Sequence, residues 1–294
     1  MRVVTRPDFD GVVCAVLLTD ALKITRPVLW IQPSDVHYQR ATIQKGDIVA
    51  NLPFHEKCSL WFDHHYTNQP AQSIKGVFRI APSAAGIVYE YYSQRLSRDY
   101  AELVHQTDRI DSADLTLDEI LHPQDYPYVL LSMTITNRDP LEAHYWDHLV
   151  KLLRTQSMDR VMDDALVRQR SREVQQINAA YEAALKTHTR LEGQVSITDF
   201  RGLDSAPNGN RFLVYSLFPD CTVNVKIVFE DNDQASIKVG HSILNRGCKV
   251  NVGKMLAAFG GGGHAGAGAC RFDRQKAPDY LSRIVQILKN NQPI

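Results

Sequence analysis

The first hundred residues alternate between short β-prone runs and longer apolar runs of helical character, and this alternation constrains the fold most. The β-prone runs are RVVT, VLWIQP, GDIVANLPF and CSLWFDHH. The stretches GVVCAVLLTDALK and SAAGIVYEYYSQRL predict helices between and after them. A helix that crosses between two strands returns the chain to the same edge of the sheet, which makes the strands parallel. The sequence therefore predicts an α/β fold with a parallel sheet in its N-terminal part.

The chain is long enough for two hydrophobic cores, because it has 294 residues and single domains usually contain about 100 to 200. Between Pro140 and Gly193 there is neither proline nor glycine, and apolar residues recur with helical spacing. We predict an α/β domain over residues 1–150, a helical linker over 151–193 and a smaller α/β domain over 194–294.

After Gly193 the sequence pattern changes to short β-prone runs separated by turn residues. QVSITDF, RFLVYSLF, TVNVKIVFE and QASIKVGHS predict strands. The glycine-rich stretch GGGGHAGAGAC follows, and DYLSRIVQILKN predicts a closing helix. These elements are those of a second, smaller α/β domain.

Charge and cysteine usage restrict the class of protein. Lys plus Arg and Asp plus Glu are both 33, so the chain has no net field that attracts nucleic acid or an anionic membrane. The five cysteines are odd in number and form no C-x-x-C pair, which favours reduced thiols and a cytoplasmic location.

No apolar run approaches the roughly 18 residues of a membrane span, so we expect no membrane partner. The oligomeric state stays open, and an oligomer is compatible with the sequence.

Polar side chains follow the predicted strands where each strand ends. Asp8 and Asp10 come after RVVT, Asn51 lies within GDIVANLPF, and Asp63 to His65 end the aromatic run CSLWF. In parallel sheets the ligand site lies beyond the carboxyl ends of the strands, so these groups are expected to converge. Taken singly, Asp10 also fits a helix cap, Asp8 a turn residue and the Asp-His-His a polar loop.

Four separated motifs occur in the order found in one enzyme family. They are RPDFDG, WFDHH, TDRIDSAD and FGGGGHAGAGA. In these motifs the chain resembles the DHH phosphoesterase family over nearly its full length. The resemblance implies an N-terminal domain that holds a manganese-type metal pair and a C-terminal domain whose G-G-G-H loop binds substrate. Relatives include oligoribonucleases, single-strand exonucleases, cyclic-dinucleotide phosphodiesterases, pyrophosphatases and exopolyphosphatases.

The resemblance also implies metal ligands by motif. Asp8 matches a ligand of the first metal, and Asp10 and His64 match ligands of the second. For the last carboxylate, Asp108 is the first choice because it follows the helical stretch YAELVHQT, and Asp111 is the alternative. This mixed set of carboxylates and imidazole suits manganese or ferrous iron better than a structural zinc.

Two departures from the family pattern concern the first metal. The family opens its first motif with a histidine, where this chain has Val4 or, in the shorter register, Arg6. The family's bridging carboxylate is replaced by Asn51, which brings an oxygen without charge. We therefore expect one well-held metal, most simply Mn²⁺, and a weak or absent second one. Arg6 either substitutes for metal charge and binds phosphate, or is an ordinary loop arginine.

The remaining site residues are expected to contact phosphate. Asp63 and His65 are assigned catalytic roles beside the metal. In the C-terminal domain, exposed backbone amides of a glycine run suit an anion. The predicted substrate-binding residues there are Gly261, Gly262, Gly263, His264, His241, Asn245 and Arg246.

These features predict a metal-dependent phosphoesterase that hydrolyses a small phosphodiester, such as a short oligonucleotide or a dinucleotide. A small phosphorylated substrate, or a short single-stranded nucleic acid, is the expected partner. Two alternatives stay open. One is phosphoanhydride hydrolysis, as in exopolyphosphatases or pyrophosphatases, and the other is a catalytically silent protein that binds a phosphorylated ligand.

Overall fold

The computed structural model describes residues 1–70, 74–136 and 140–294, which fold into two compact units. The first unit comprises Met1–Leu115 and Pro123–Arg172, and the second comprises Thr116–His122 and Glu173–Ile294. The predicted linker, residues 151–193, is thus divided between the two units. Nothing in the sequence indicates that residues 116–122 pack with the second unit.

In the first unit α-helices separate the first three strands and follow the fifth, whereas strands and helices are mixed in the second unit. The strands are β1 (Arg2–Thr5), β2 (Leu29–Trp30), β3 (Asp47–Ala50), β4 (Leu60–Asp63), β5 (Gly76–Phe78), β6 (Thr189–Glu192), β7 (Val195–Asp199), β8 (Val223–Phe229), β9 (Gln234–His241), β10 (Gly262–Gly263) and β11 (Ala267–Asp273). The α-helices are α1 (Phe9–Leu22), α2 (Pro33–His37), α3 (Ala84–Tyr92), α4 (Ala101–Asp111), α5 (Leu117–Leu121), α6 (Pro127–Met133), α7 (Ala143–Thr155), α8 (Met158–Met162), α9 (Ala165–His188), α10 (Leu213–Leu217), α11 (Val252–Ala257) and α12 (Ala277–Asn290). Short 3₁₀ helices lie at Tyr66–Asn68, Ser93–Arg95, Pro123–Asp125, Pro140–Glu142 and Arg274–Lys276.

The sheet of the first unit has five parallel strands in the order β2-β1-β3-β4-β5, which confirms the predicted α/β class. Thr5 of β1 pairs with Ala50 of β3, and Ala50 pairs with Phe62 of β4. The three strands therefore end side by side, and the polar residues that follow them start at one edge of the sheet.

Both faces of this sheet are covered, because side chains alternate between faces along a strand. Val3 packs into the larger core, to which α1, α3 and α7 contribute, whereas Val4 packs with Val49 and Trp61 on the other face. Nearly every residue of α1 is buried. This helix contacts β1 as well as α3, α4 and α7, which fixes the position of its N-terminus.

The second unit has a six-stranded sheet in the order β10-β11-β9-β8-β7-β6. Its pairs are antiparallel except for β7 and β8, which are parallel. Helices α11 and α12 supply apolar residues to its core. The prediction of a strand for RFLVYSLF is wrong, because this run contains α10. A short apolar run does not distinguish a strand from a buried helical turn. Here the carboxamide oxygen of Asn210 accepts the amide of Phe212, which starts the turn.

Two further observations concern the whole chain. None of the helices within the described ranges is long and apolar enough to cross a membrane. All five cysteines carry free thiols, and Cys14, Cys221 and Cys270 are buried.

Candidate metal and substrate site

Asp10 lies in the first turn of α1 and points toward the N-terminus of α3. Its side chain is buried, and its carboxylate accepts the amides of Ala84 at 3.0 Å and Ala85 at 2.7 Å. The free amides of a helix N-terminus carry partial positive charge, which makes a buried carboxylate tolerable there. Burial and the nearby Asp8 carboxylate nevertheless raise the pKa of Asp10 to about 7, against the effect of the two amides. A cation in contact with Asp10 would reverse this shift.

His64 is oriented so that one ring nitrogen faces Asp10. Its Nδ1 lies 3.0 Å from the carbonyl oxygen of Ala81, so Nδ1 carries a proton and, in the neutral ring, the lone pair is on Nε2. Nε2 lies 3.8 Å from Asp10 Oδ2 and 3.4 Å from Asp111 Oδ2. This nitrogen is buried and has no hydrogen-bond partner among the described residues. A divalent cation could accept this lone pair and contact the two carboxylates on either side of it.

Asp10, His64 and Asp111 each offer one ligand atom, and these atoms all lie within 4.8 Å of one another. Asp111 is the last residue of α4, and its side chain is 31% exposed, so the group opens toward solvent. Burial and the carboxylates of Asp10 and Asp8 raise the pKa of Asp111 to about 7. The donor set fits a hard or borderline divalent ion with room for water or substrate.

Asp108, the first choice for the last metal carboxylate, is placed elsewhere. Its Oδ1 accepts the hydroxyl of Ser83 at 2.5 Å, and Ser83 in turn caps α3 by accepting the amide of Gly86 at 2.9 Å. The structure therefore favours the alternative, Asp111, as the third group of the cluster. Asp108 instead supports the helix N-terminus that holds Asp10.

Asp63 is fully buried and anchors His65. Its Oδ1 lies 2.8 Å from His65 Nδ1, and its Oδ2 accepts the side-chain amide of Asn68 at 2.6 Å. Burial opposes the charged form of the imidazole, but the Asp63 carboxylate raises the pKa of His65 above its ordinary value. Asp63 also offers an oxygen within 4.8 Å of a nitrogen of each histidine ring. Because its two oxygens already accept protein donors, Asp63 orients His65, whose Nε2 is left for a ligand.

Asp8 is surrounded by protein donors. Its Oδ1 accepts the amide of Gly11 and the side-chain amide of Asn51, both at 2.9 Å, and its Oδ2 lies 2.9 Å from Arg6 Nε. The structure therefore brings Arg6, Asp8 and Asn51 together. Val4 is buried between apolar side chains and offers no ligand atom.

Two more buried polar atoms at this edge lack a protein hydrogen-bond partner among the described residues. Asn51 Oδ1 and Thr5 Oγ1 have no hydrogen-bond partner within the described ranges. Asn51 has a φ of 55°, so the chain turns sharply after β3. Thr5 was not among the predicted site residues, since a threonine that ends a strand carries no signal in sequence.

The glycine run of the second unit folds against α11. Gly262 and Gly263 pair with Ala269 and Gly268 in a hairpin, and the amide of Gly253 donates to the carbonyl of His264 at 2.9 Å. A Cβ at Gly253 would lie 2.3 Å from the carbonyl oxygen of Gly263, and one at Gly263 would lie 2.3 Å from that of Ala267. Close backbone packing thus requires glycine at these positions. His264 is exposed at the tip of the hairpin.

The other residues predicted to bind substrate in this unit have structural contacts. His241 Nε2 lies 3.0 Å from the carbonyl oxygen of Val250. The side-chain amide of Asn245 donates to the carbonyl of Asp220 at 3.2 Å. Arg246 is exposed, and its Nε donates to the carbonyl of Ile243 at 3.3 Å. These contacts order the loop after β9, and a role in substrate binding stays a prediction.

Comparison with known proteins finds solved structures of the same fold. No protein-family model and no curated protein sequence matches the chain. The structure is similar to that of the pGpG-specific phosphodiesterase PggH from Vibrio cholerae, with a TM-score of 0.84 and 26% identity over 99% of each chain. It also shares its fold with RecJ from Thermus thermophilus in complex with Mn²⁺, with a TM-score of 0.57 and 13% identity. That match covers 99% of this chain and 52% of RecJ. The four motifs, the two-sheet fold and these likenesses agree, and together they support the resemblance to the DHH phosphoesterases.

Proposed function

We propose that the protein is a metal-dependent phosphodiesterase that hydrolyses a dinucleotide or a short oligonucleotide. The observation that carries this proposal is the cluster of Asp10, His64 and Asp111, in which a buried imidazole nitrogen faces two carboxylates without a donor. The likeness to a pGpG-specific phosphodiesterase over the full length supports a small phosphodiester as substrate.

One divalent ion, most simply Mn²⁺, is proposed to bind Asp10, His64 and Asp111. When bound, such an ion polarises a phosphoryl oxygen and lowers the pKa of a coordinated water. His65 would act beside it, because Asp63 holds its Nδ1 and leaves Nε2 to donate a hydrogen bond or a proton to phosphate.

Asp8 and Asn51 are proposed to form a weak second metal position at most. The Asp8 oxygens already contact Gly11, Asn51 and Arg6, so a second ion would have to displace the guanidinium. When no second ion is bound, the guanidinium of Arg6 would neutralise Asp8 and face a substrate phosphate.

The glycine run with His264, and the loop bearing His241, Asn245 and Arg246, are proposed to bind substrate phosphate. This proposal depends on the sequence motif, and the exposure of His264 and Arg246 is compatible with it. The free thiols are compatible with the proposed cytoplasmic location.

A silent phosphate-binding protein is the second candidate, and one observation favours it. Asp8 is neutralised by Arg6, and the side chain of Asn51 is uncharged. The first metal position therefore lacks free negative charge. Phosphoanhydride hydrolysis would use the same metal chemistry and differs only in its leaving group.

The test is hydrolysis of pGpG by metal-free protein supplied with Mn²⁺, combined with a calorimetric titration of Mn²⁺. We expect turnover that depends on the metal, one bound ion per chain, and a loss of more than about 100-fold in Asp10→Asn. Asp231→Asn, in an exposed turn of the second unit, is the matched control. Binding of pGpG without turnover would favour the silent binding protein, and two tight ions would contradict the single-metal proposal.

A further inference from the structure

Two large exposed apolar side chains lie next in the chain to His65 and to Ala81, the residue whose carbonyl oxygen contacts His64. Tyr66 directly follows His65 in the chain, and 73% of its surface is accessible. Ile80 is 65% exposed and directly precedes Ala81, whose carbonyl oxygen fixes His64. Single exposed apolar residues are common on protein surfaces. Here both of them are chain neighbours of residues that form or fix the pair His64 and His65, which calls for a functional explanation.

Asp63 anchors both segments that bear these side chains. Its carboxylate accepts the side-chain amide of Asn68, which closes the 3₁₀ helix that contains Tyr66. Its carbonyl oxygen accepts the amide of Arg79 at 3.4 Å, next to Ile80. The same residue also positions His65. Tyr66 and Ile80 are therefore tied to the backbone and side chain that set the geometry of the site.

The ring of Tyr66 is free for a ligand. Within the described ranges it stacks on no other ring and lies under no cation. Tyr38 is similarly exposed, at 66%, but it contacts the His37 ring and the Arg40 guanidinium. An aromatic face beside a phosphate-binding site suits a nucleobase, because every base presents a flat π surface for stacking.

We infer that Tyr66 and Ile80 contact a nucleobase of the substrate, with the base stacked on Tyr66. The site would thereby select base-bearing phosphodiesters over inorganic phosphoanhydrides. This inference rests on the proposed function and names the part of the substrate that lies beside the metal.

The experiment compares steady-state hydrolysis of a dinucleotide and of its abasic analogue, in which both bases are replaced by hydrogen. For Tyr66→Ala we expect KM for the dinucleotide to rise about 5- to 100-fold with little change in kcat, the range that base–aromatic stacking gives. Tyr66→Phe should restore most of the affinity, and Ile80→Ser should raise KM more modestly. Hydrolysis of the abasic analogue should be unchanged in all three variants. Tyr38→Ala is the matched control.

The outcomes separate this inference from the proposed function. Turnover of the dinucleotide with an unaltered KM in Tyr66→Ala would overturn the stacking contact alone. An equal loss on both substrates would do the same, because it would show a general disturbance of the site. If the wild-type protein with Mn²⁺ hydrolyses neither substrate, the proposed function fails first and the inference fails with it.

Discussion

At the scale of single residues, the position of the last carboxylate decides which groups could hold the proposed metal. Asp108 and Asp111 are three residues apart on α4, so they lie on similar faces and differ by about 4.5 Å along the helix axis. Asp111 faces His64 Nε2 at 3.4 Å, whereas Asp108 accepts the hydroxyl of Ser83. One carboxylate is therefore free for an ion and the other is used within the fold.

Exchanging each of these carboxylates for an amide should separate the two roles. Asp111→Asn removes a charged ligand, so we expect Mn²⁺ affinity to fall at least about 10-fold without a fall in the free energy of unfolding of the metal-free protein. Asp108→Asn weakens the bond to Ser83, so the free energy of unfolding should fall by about 1 kcal/mol while Mn²⁺ still binds. Calorimetric titration and urea unfolding measure both quantities. Loss of the metal in Asp108→Asn alone would restore the first assignment.

Residues that follow a strand could be located from the sequence, because strand ends are visible there. The motif led to Asp10, His64 and His65, and the structure places them at one edge of the sheet. The contacts of Asp8 with Arg6 and Asn51 could not be predicted, since they depend on side-chain directions across two strands.

At the scale of elements, the glycine run and α11 form one packed piece of the second unit. Gly253 lets the hairpin pack against the helix. Its amide donates to the carbonyl of His264, and a Cβ at this position would clash with the carbonyl oxygen of Gly263. Sequence alone suggested glycines that cradle a phosphate. The structure adds a packing reason for several of them.

Gly253→Ala should therefore destabilise the second unit by about 1–3 kcal/mol, the usual cost of overpacking. Gly262→Ala is the control for stability, since nothing lies within 4 Å of the added methyl group. For that variant we expect a change of less than about 0.5 kcal/mol. Urea unfolding followed by circular dichroism tests both. Equal stabilities of the two variants would show that the hairpin moves away from α11 at no cost.

At the scale of the whole molecule, stability, pH and metal binding are linked through Asp10 and Asp111. Both carboxylates have a pKa of about 7 in the folded protein, against an ordinary value of 3.8. The metal-free folded state thus holds more protons than the unfolded chain between these values. The stability that these two protonated carboxyl groups contribute is fully present below about pH 4 and is lost as the pH rises through about 7.

We therefore expect the free energy of unfolding of metal-free protein to fall between about pH 5 and pH 8. Mn²⁺ binds the ionised carboxylates, so its stabilising effect should grow over the same interval. Urea unfolding with a chelator or with excess Mn²⁺ measures both trends. Asp10→Asn, compared at each pH, isolates the contribution of this carboxylate from other titrating groups. A difference between the two proteins that does not vary with pH would contradict the linkage.

The sequence by itself determined the α/β class, the two-part organisation and the motif residues near strand ends. These depend on local periodicity and on where each run of apolar residues stops, which are properties of neighbouring residues. Only the tertiary structure decided that Asp111 joins Asp10 and His64, that Arg6 and Asn51 engage Asp8, and that RFLVYSLF contains a helix. Those outcomes depend on which elements pack together and on the directions of their side chains, so residues far apart in the chain set them jointly.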